Sequence, residues 1–149
     1  MITEDLNALF IRDLTKLKTE IEAYQNEDMI WKTDKNISNS AGNLALHLVG
    51  NLSHFVGAIL GNSGYIRNRE LEFSLKDVPK TELIQQIEKA TEIVTLTLQN
   101  LPAEDLVKEF PGEPLGYKMT TAYFLIHLSG HLSYHLGQIN YHRRMLDLR

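Results

Sequence analysis

Apolar residues recur at intervals of three and four along most of the chain, the period of an α-helix that buries one face. Leu6, Leu9, Phe10, Leu14, Leu17, Ile21 and Tyr24 draw the first stripe. Thr3 is its expected N-cap, with Glu4 and Asp5 suited to the positive end of the helix dipole. From Asn26 to Ser38 the period breaks, and Met29, Ile30 and Trp31 are the expected anchors of an ordered loop. A second helix is predicted from about Ser40 to Ile59 or Leu60, ended by Gly61-Asn62-Ser63-Gly64. Its stripe reads Leu44, His47, Leu48, Asn51, Phe55, Ile59. The third begins near Pro79 and runs through Leu83, Ile84, Ile87, Ala90, Val94, Thr97 and Leu98 to Leu101-Pro102. The fourth starts near Thr120 or Thr121 and extends to about Asp147, with Tyr123, His127, His131, Tyr134, His135, Gln138, Ile139 and His142 in its stripe.

Four long amphipathic helices and no strand pattern predict an all-α four-helix bundle. At 149 residues the chain is expected to form a single domain, residues 1–149. The predicted connections, about 13 to 18 residues, are long for a simple up-and-down bundle, so they either cross it or build a site at its mouth. Gly50 and Gly57, like Gly130 and Gly137, repeat at seven, which suits close helix–helix approach within the chain or between two copies.

Composition narrows the function. Cysteine is absent, which excludes a disulfide scaffold, a thiolate zinc site and a thiol nucleophile. A net charge of −4 with intermixed signs argues against a nucleic-acid partner. The longest apolar stretch is interrupted by Asn, His and Gly, so no membrane span is expected. Met1-Ile2-Thr3-Glu4-Asp5 lacks the basic start and apolar run of a signal peptide, and a cytoplasmic location is the expectation.

The histidines change the picture. Five of six fall in, or within one position of, the stripes of the second and fourth helices. One buried histidine is an ordinary core residue. Several on facing helices would each need both a donor and an acceptor satisfied, at roughly 1–3 kcal/mol for each group left unpaired. A shared metal ion accounts for them better than a polar layer does. His131 and His135 lie about 6 Å apart along one helix face and can converge on one ion. His127 and His131 have the same spacing, whereas His127 and His135, about 12 Å apart, cannot share an ion with His131 between them. A third ligand must come from the second helix, where His47 and His54 are the candidates. No Asp or Glu lies on the inner face of either helix, so the ligand set is expected to be all imidazole. Three neutral histidines leave a coordination position open, the mark of a catalytic site.

The stretch His127-Leu-Ser-Gly-His131-Leu-Ser-Tyr-His135-Leu-Gly-Gln138-Ile139, with Leu44-Ala-Leu-His47-Leu-Val-Gly-Asn51-Leu upstream, resembles the DinB/YfiT-like superfamily of metal-binding four-helix bundles. In that family one histidine early in helix two and both of a His-x-x-x-His-x-Gly-Gln motif hold the ion, which implies His47, His131 and His135 here. Residues 61–73 further resemble an uncharacterised branch with an Arg-Asn-Arg-x-x-Glu-Phe signature, here Arg67 to Phe73. The resemblance implies an up-down-down-up bundle with a long helix two to helix three crossover, and a homodimer. It also implies a divalent ion, zinc or nickel ahead of iron, copper or manganese. Characterised members of the superfamily include S-transferases and isomerases that use low-molecular-weight thiols. A metal-dependent transferase acting on a small molecule is therefore expected, in which a thiol at the open position would be deprotonated and ready to attack an electrophile. A hydrolase working through bound water is the alternative. A non-catalytic metal sensor, or a bundle with a structural histidine layer, is the rival from another class.

Gln138 is placed to orient a ligand histidine or to bond backbone, while Tyr134 and Tyr141 read as aromatic packing. Arg67 and Arg69, with Glu72, are candidates for contacting an anionic substrate or for pinning the long connection by salt bridges. Arg143 and Arg144 suit the negative end of the last helix dipole. With His47 tied to the midpoint of His131 and His135, antiparallel packing predicts that His54 meets His127 about 10 Å from the ion, as a satisfied pair or a proton relay.

Overall fold

The computed structural model describes residues 1–148. Four long helices pack together: α1 (Ile2–Glu22), α2 (Ala41–Leu52), α4 (Lys80–Asn100) and α5 (Thr121–Leu146). A short helix, α3 (Arg69–Ser74), lies within the crossover, so the third and fourth helices expected from periodicity are α4 and α5. No β-strand occurs among the described residues; one isolated bridge joins Glu109 to Thr120. Ser40 and Thr120, near which the second and fourth helices were expected to start, cap α2 and α5: Ser40 Oγ accepts from Asn43 N–H and Thr120 Oγ1 accepts from Tyr123 N–H. Thr3 is not a cap. The first helix already begins at Ile2, and Thr3 is buried within its opening turn.

Side-chain pairs fix the direction of each helix. Lys18 pairs with Glu88, and Lys80 Nζ donates to the Glu22 carbonyl, so α1 and α4 are antiparallel. Asn140 donates to Glu20 and Gln25 N–H donates to Asp147, so α1 and α5 run the same way. His47 faces His131 while Phe55 faces Phe124, so α2 opposes α5. Gly57 lies against Ile93 and Gly61 against Thr97, so α2 and α4 are parallel. The result is the up-down-down-up bundle, and α3 belongs to the strap that carries the chain from the end of α2 back to the start of α4.

The core follows the expected stripe on α1, where Phe10, Leu14, Leu17 and Ile21 are fully buried, each contributing roughly 1.5–3 kcal/mol. Leu9 stands outside it, exposed at the rim of that face. Ile30 and Trp31 are buried as the anchors of the first connection, a 3₁₀ turn over Glu27–Trp31. On α5 the inward face is rotated from the expected one. Phe124, Leu125, Leu128, Leu132 and Ile139 fill the core, whereas Tyr123, Tyr134 and Tyr141 are exposed. The histidine stripe is thus the flank of the core and leaves a groove open beside it.

By length and composition Ala41–Leu60 is long and apolar enough to cross a membrane, contrary to expectation. Its apolar surface is spent inside the bundle, where 72% of the segment is buried. From Ser53 to Leu60 this helix widens into a π-helical run, which the sequence pattern did not announce.

Candidate metal centre

Because α2 and α5 are antiparallel and in contact, His47 projects between His131 and His135, which stand one turn apart on α5. The three ring centroids lie 5.0, 5.4 and 4.6 Å from one another. One nitrogen from each ring falls within 4.8 Å of the other two, so the cluster could hold a metal ion. His47 Nε2 and His131 Nε2 are 3.2 Å apart. That separation matches neighbouring corners of a tetrahedron with zinc–nitrogen bonds of about 2.0–2.1 Å. Of the histidines left open by spacing, the structure brings together residues 47, 131 and 135.

The outer nitrogens show why the inner ones are free. His47 Nδ1 donates to Glu72 Oε1 at 3.0 Å, and His135 Nδ1 donates to Gln138 Oε1 at 2.7 Å. Each bond fixes the proton on the outer nitrogen and leaves a lone pair on Nε2 facing the centre. Burial lowers the His131 pKa to about 4, helped by its neighbours His135 and His47. Burial also lowers that of His135. Neutral imidazoles presenting lone pairs fit a divalent cation.

Glu72 was expected only in the loop, as part of a salt-bridged anchor. It does pin the crossover: Arg67 Nε donates to its Oε2 at 2.9 Å and Arg67 Nη2 to its Oε1 at 3.0 Å. It also reaches the back of His47, so the donor set stays all imidazole while a carboxylate stands behind it. Burial alone would raise the Glu72 pKa, but hydrogen bonds from His47 and Arg67, with the Arg67 charge, more than offset this and hold it below the usual carboxylate value. The rest of the Arg67–Phe73 run serves the same end. Asn68 Oδ1 accepts from Leu71 N–H and starts α3, Phe73 packs on the His47 ring at 4.9 Å, and Arg69 lies over Phe73 at 5.1 Å. Asn43 ties α3 to α2 by donating to the Glu72 and Leu75 carbonyls. Gly50 leaves the space that the Glu72 carboxylate fills, because a Cβ there would come within 1.9 Å of Oε2.

His127 and His54 do not join the cluster or each other. His127 is exposed and stacks on Phe124, with ring centroids 5.8 Å apart, beyond His131. The half-buried His54 ring packs on its neighbour Phe55, and no hydrogen bond or ring contact links it to His127 among the described residues. The π-helical run explains the miss. Its wider turns carry His54 off the inward face, while the stripe residues His47, Asn51 and Phe55 share one cavity wall. Tyr134 and Tyr141 do not pack in the core, although the Tyr134 ring touches the edge of His135 at 5.3 Å.

Two hollows border the cluster. One, of about 310 Å³, is lined by His47, Asn51, Phe55, Arg67, Arg69 and His131, among others. The larger, of about 810 Å³, is walled by Ile37, Leu44, Tyr134, His135, Gln138 and Tyr141, among others. Arg69 sits at the first hollow with no carboxylate partner among the described residues.

Fold and site together define an all-α helical bundle with a possible three-histidine metal centre. The chain belongs to the family described as "Protein of unknown function (DUF1572)", whose model matches residues 7–148. A search of curated proteins finds no match.

Proposed function

We propose that this protein is a metal-dependent transferase of the DinB-like superfamily, with a divalent ion, zinc or nickel, on His47, His131 and His135. The observation that carries the reading is the convergence of three imidazole nitrogens, two with their outer nitrogens already committed to Glu72 and Gln138. An ion bound there supplies Lewis acidity at an open position, lowering the pKa of the group that occupies it.

The surrounding residues select what comes in. Glu72 is neutralised by Arg67 and so leaves the charge of the centre uncompensated. Arg69 adds a second cation at the rim. The smaller hollow accordingly favours an anionic small molecule, oriented by Arg69 against the Phe55 and Phe124 walls. The larger, mostly apolar groove touches the cluster through His135 and offers room for a second reactant. Two hollows meeting at one centre support group transfer over hydrolysis, and the superfamily resemblance supports a low-molecular-weight thiol as one of the two reactants.

The same reading includes a homodimer formed through α5. Tyr123, Ile126, Tyr134, Tyr141 and Met145 are exposed along it, and a Cβ at Gly130 or Gly137 would meet nothing within 4 Å.

Metal analysis of protein purified without chelator, then reloaded with Zn²⁺ or Ni²⁺, tests the centre. Binding of one ion per chain that His131→Ala abolishes is expected, and the absence of histidine-dependent binding overturns it. Loaded protein should then accelerate the loss of glutathione or cysteine in the presence of chlorodinitrobenzene. Metal-bound protein without such turnover, across a panel of thiols and electrophiles, removes the transferase assignment.

A further inference from the structure

Two of the three clustered histidines have a partner for the outer nitrogen, and the third has none. His131 Nδ1 is buried without a hydrogen bond. Asn51 Oδ1 is also buried without one, on a side chain only 7% exposed. Buried polar atoms without partners are uncommon in native proteins and call for a reason. These two line the same cavity, Asn51 one helical turn beyond His47 on α2 and His131 opposite on α5.

In the unloaded cluster these two atoms make no hydrogen bond. His47 gives its Nδ1 proton to Glu72, so its Nε2 is a bare acceptor. Without an ion, the 3.2 Å contact between His47 Nε2 and His131 Nε2 is a hydrogen bond when His131 carries its proton on Nε2. That leaves His131 Nδ1 bare as well, and a bare nitrogen and a carbonyl oxygen are both acceptors. Ligation through Nε2 requires the other tautomer, in which Nδ1 carries the proton and needs an acceptor.

We propose that Asn51 is the positioning residue for His131: when Nε2 of His131 binds a metal, its proton resides on Nδ1 and is donated to Asn51 Oδ1. The centre would then have a matched outer acceptor for every ligand, Glu72 for His47, Asn51 for His131 and Gln138 for His135. This rests on the metal reading above.

The test is a Zn²⁺ titration against a competing chromogenic chelator, with wild-type protein, Asn51→Leu and Asn51→Asp, alongside thermal unfolding of the unloaded proteins. Asn51→Leu should weaken Zn²⁺ binding about 10–100-fold, the usual effect of losing an outer partner. Asn51→Asp keeps an acceptor and should stay within about threefold of wild type, a rescue on the same scale. Unloaded Asn51→Leu should melt no lower than wild type, because leucine removes a buried carboxamide that lacks partners. Weaker metal binding without lost stability separates positioning from a packing role. Wild-type Zn²⁺ affinity in Asn51→Leu overturns the proposal and leaves the metal centre standing, whereas wild-type protein that binds no Zn²⁺ overturns both. Should the leucine variant fail to fold, nitrogen-15 NMR of Zn²⁺-loaded wild type decides. A slowly exchanging, hydrogen-bonded proton on His131 Nδ1 is expected, and a bare or freely exchanging Nδ1 refutes the idea.

Discussion

Glu72 stands behind His47, its Oε1 3.0 Å from the ring Nδ1 and its other oxygen held by Arg67 at 2.9 Å. One carboxylate thus fastens the crossover to α2 and fixes the tautomer of a histidine that points its other nitrogen into the cluster. Removing a group in that role typically costs about 10–100-fold in metal affinity. Glu72→Leu, which leaves His47 Nδ1 without an acceptor, should show a loss of that order in a Zn²⁺ titration. Gly50→Ala should reproduce it without touching either residue, since its Cβ would collide with the Glu72 carboxylate. Wild-type affinity in Gly50→Ala would mean that the carboxylate is not needed where it lies.

Burial of His131 makes stability depend on pH. Its folded pKa is lowered to about 4, against an unfolded value near 6.5. Above about 6.5 both states are neutral there and the stabilisation is complete. As pH falls from about 6.5 toward 4, the unfolded chain takes up a proton that the folded one refuses, so stability declines. Denaturant unfolding of metal-free protein across that range should show this slope, and His131→Leu should flatten it. An unchanged slope in the variant would assign the effect to other groups.

His142 is a core histidine of the ordinary kind. Its Nδ1 meets Tyr24 Oη at 2.6 Å and its Nε2 donates to the Lys32 carbonyl at 2.7 Å, so both ring nitrogens are satisfied. His142→Ala should lower unfolding free energy by about 1–3 kcal/mol, because it strands a buried hydroxyl and a carbonyl. Zn²⁺ stoichiometry should not change. Exposed His127, by contrast, should tolerate alanine within about 0.5 kcal/mol. Chemical denaturation with parallel metal analysis checks both.

The exposed face of α5 predicts that Tyr134→Arg, or Gly137→Arg, shifts a dimer toward monomer in light scattering at micromolar concentration. A wild-type protein that is already monomeric there would remove this interface from the proposed function.

Periodicity located α1, α4 and α5 because each keeps a repeating apolar face over five or more turns, and α2, buried on every side, was found as a continuous apolar run between its Ser40 cap and Gly61. The histidine pair of α5 was legible for the same reason, since a spacing of four on a helix is a spatial statement. The limits were equally physical. Tyr123, Tyr134 and Tyr141 counted as apolar in the pattern, yet an amphipathic ring is as well placed at a rim as in a core, and the inward face of α5 was read one position off. The π-helical run of α2 has no signature of its own; Gly57 against Ile93 and Gly61 against Thr97 are tertiary contacts, and that local widening carries His54 off the inward face. Glu72 and Asn51 were visible as residues but not as partners. The first reaches α2 through a folded crossover, and the second matters because another atom lacks a bond.

His47 and His131 are 84 residues apart, and they meet only across the interface between α2 and α5. During synthesis, α2 is made long before α5 leaves the ribosome, and until then the chain presents one histidine where the finished site presents three. A single imidazole holds an ion weakly. An ion taken up by the proposed centre would therefore require α2 and α5 to be paired, so a half-made chain could not load it early.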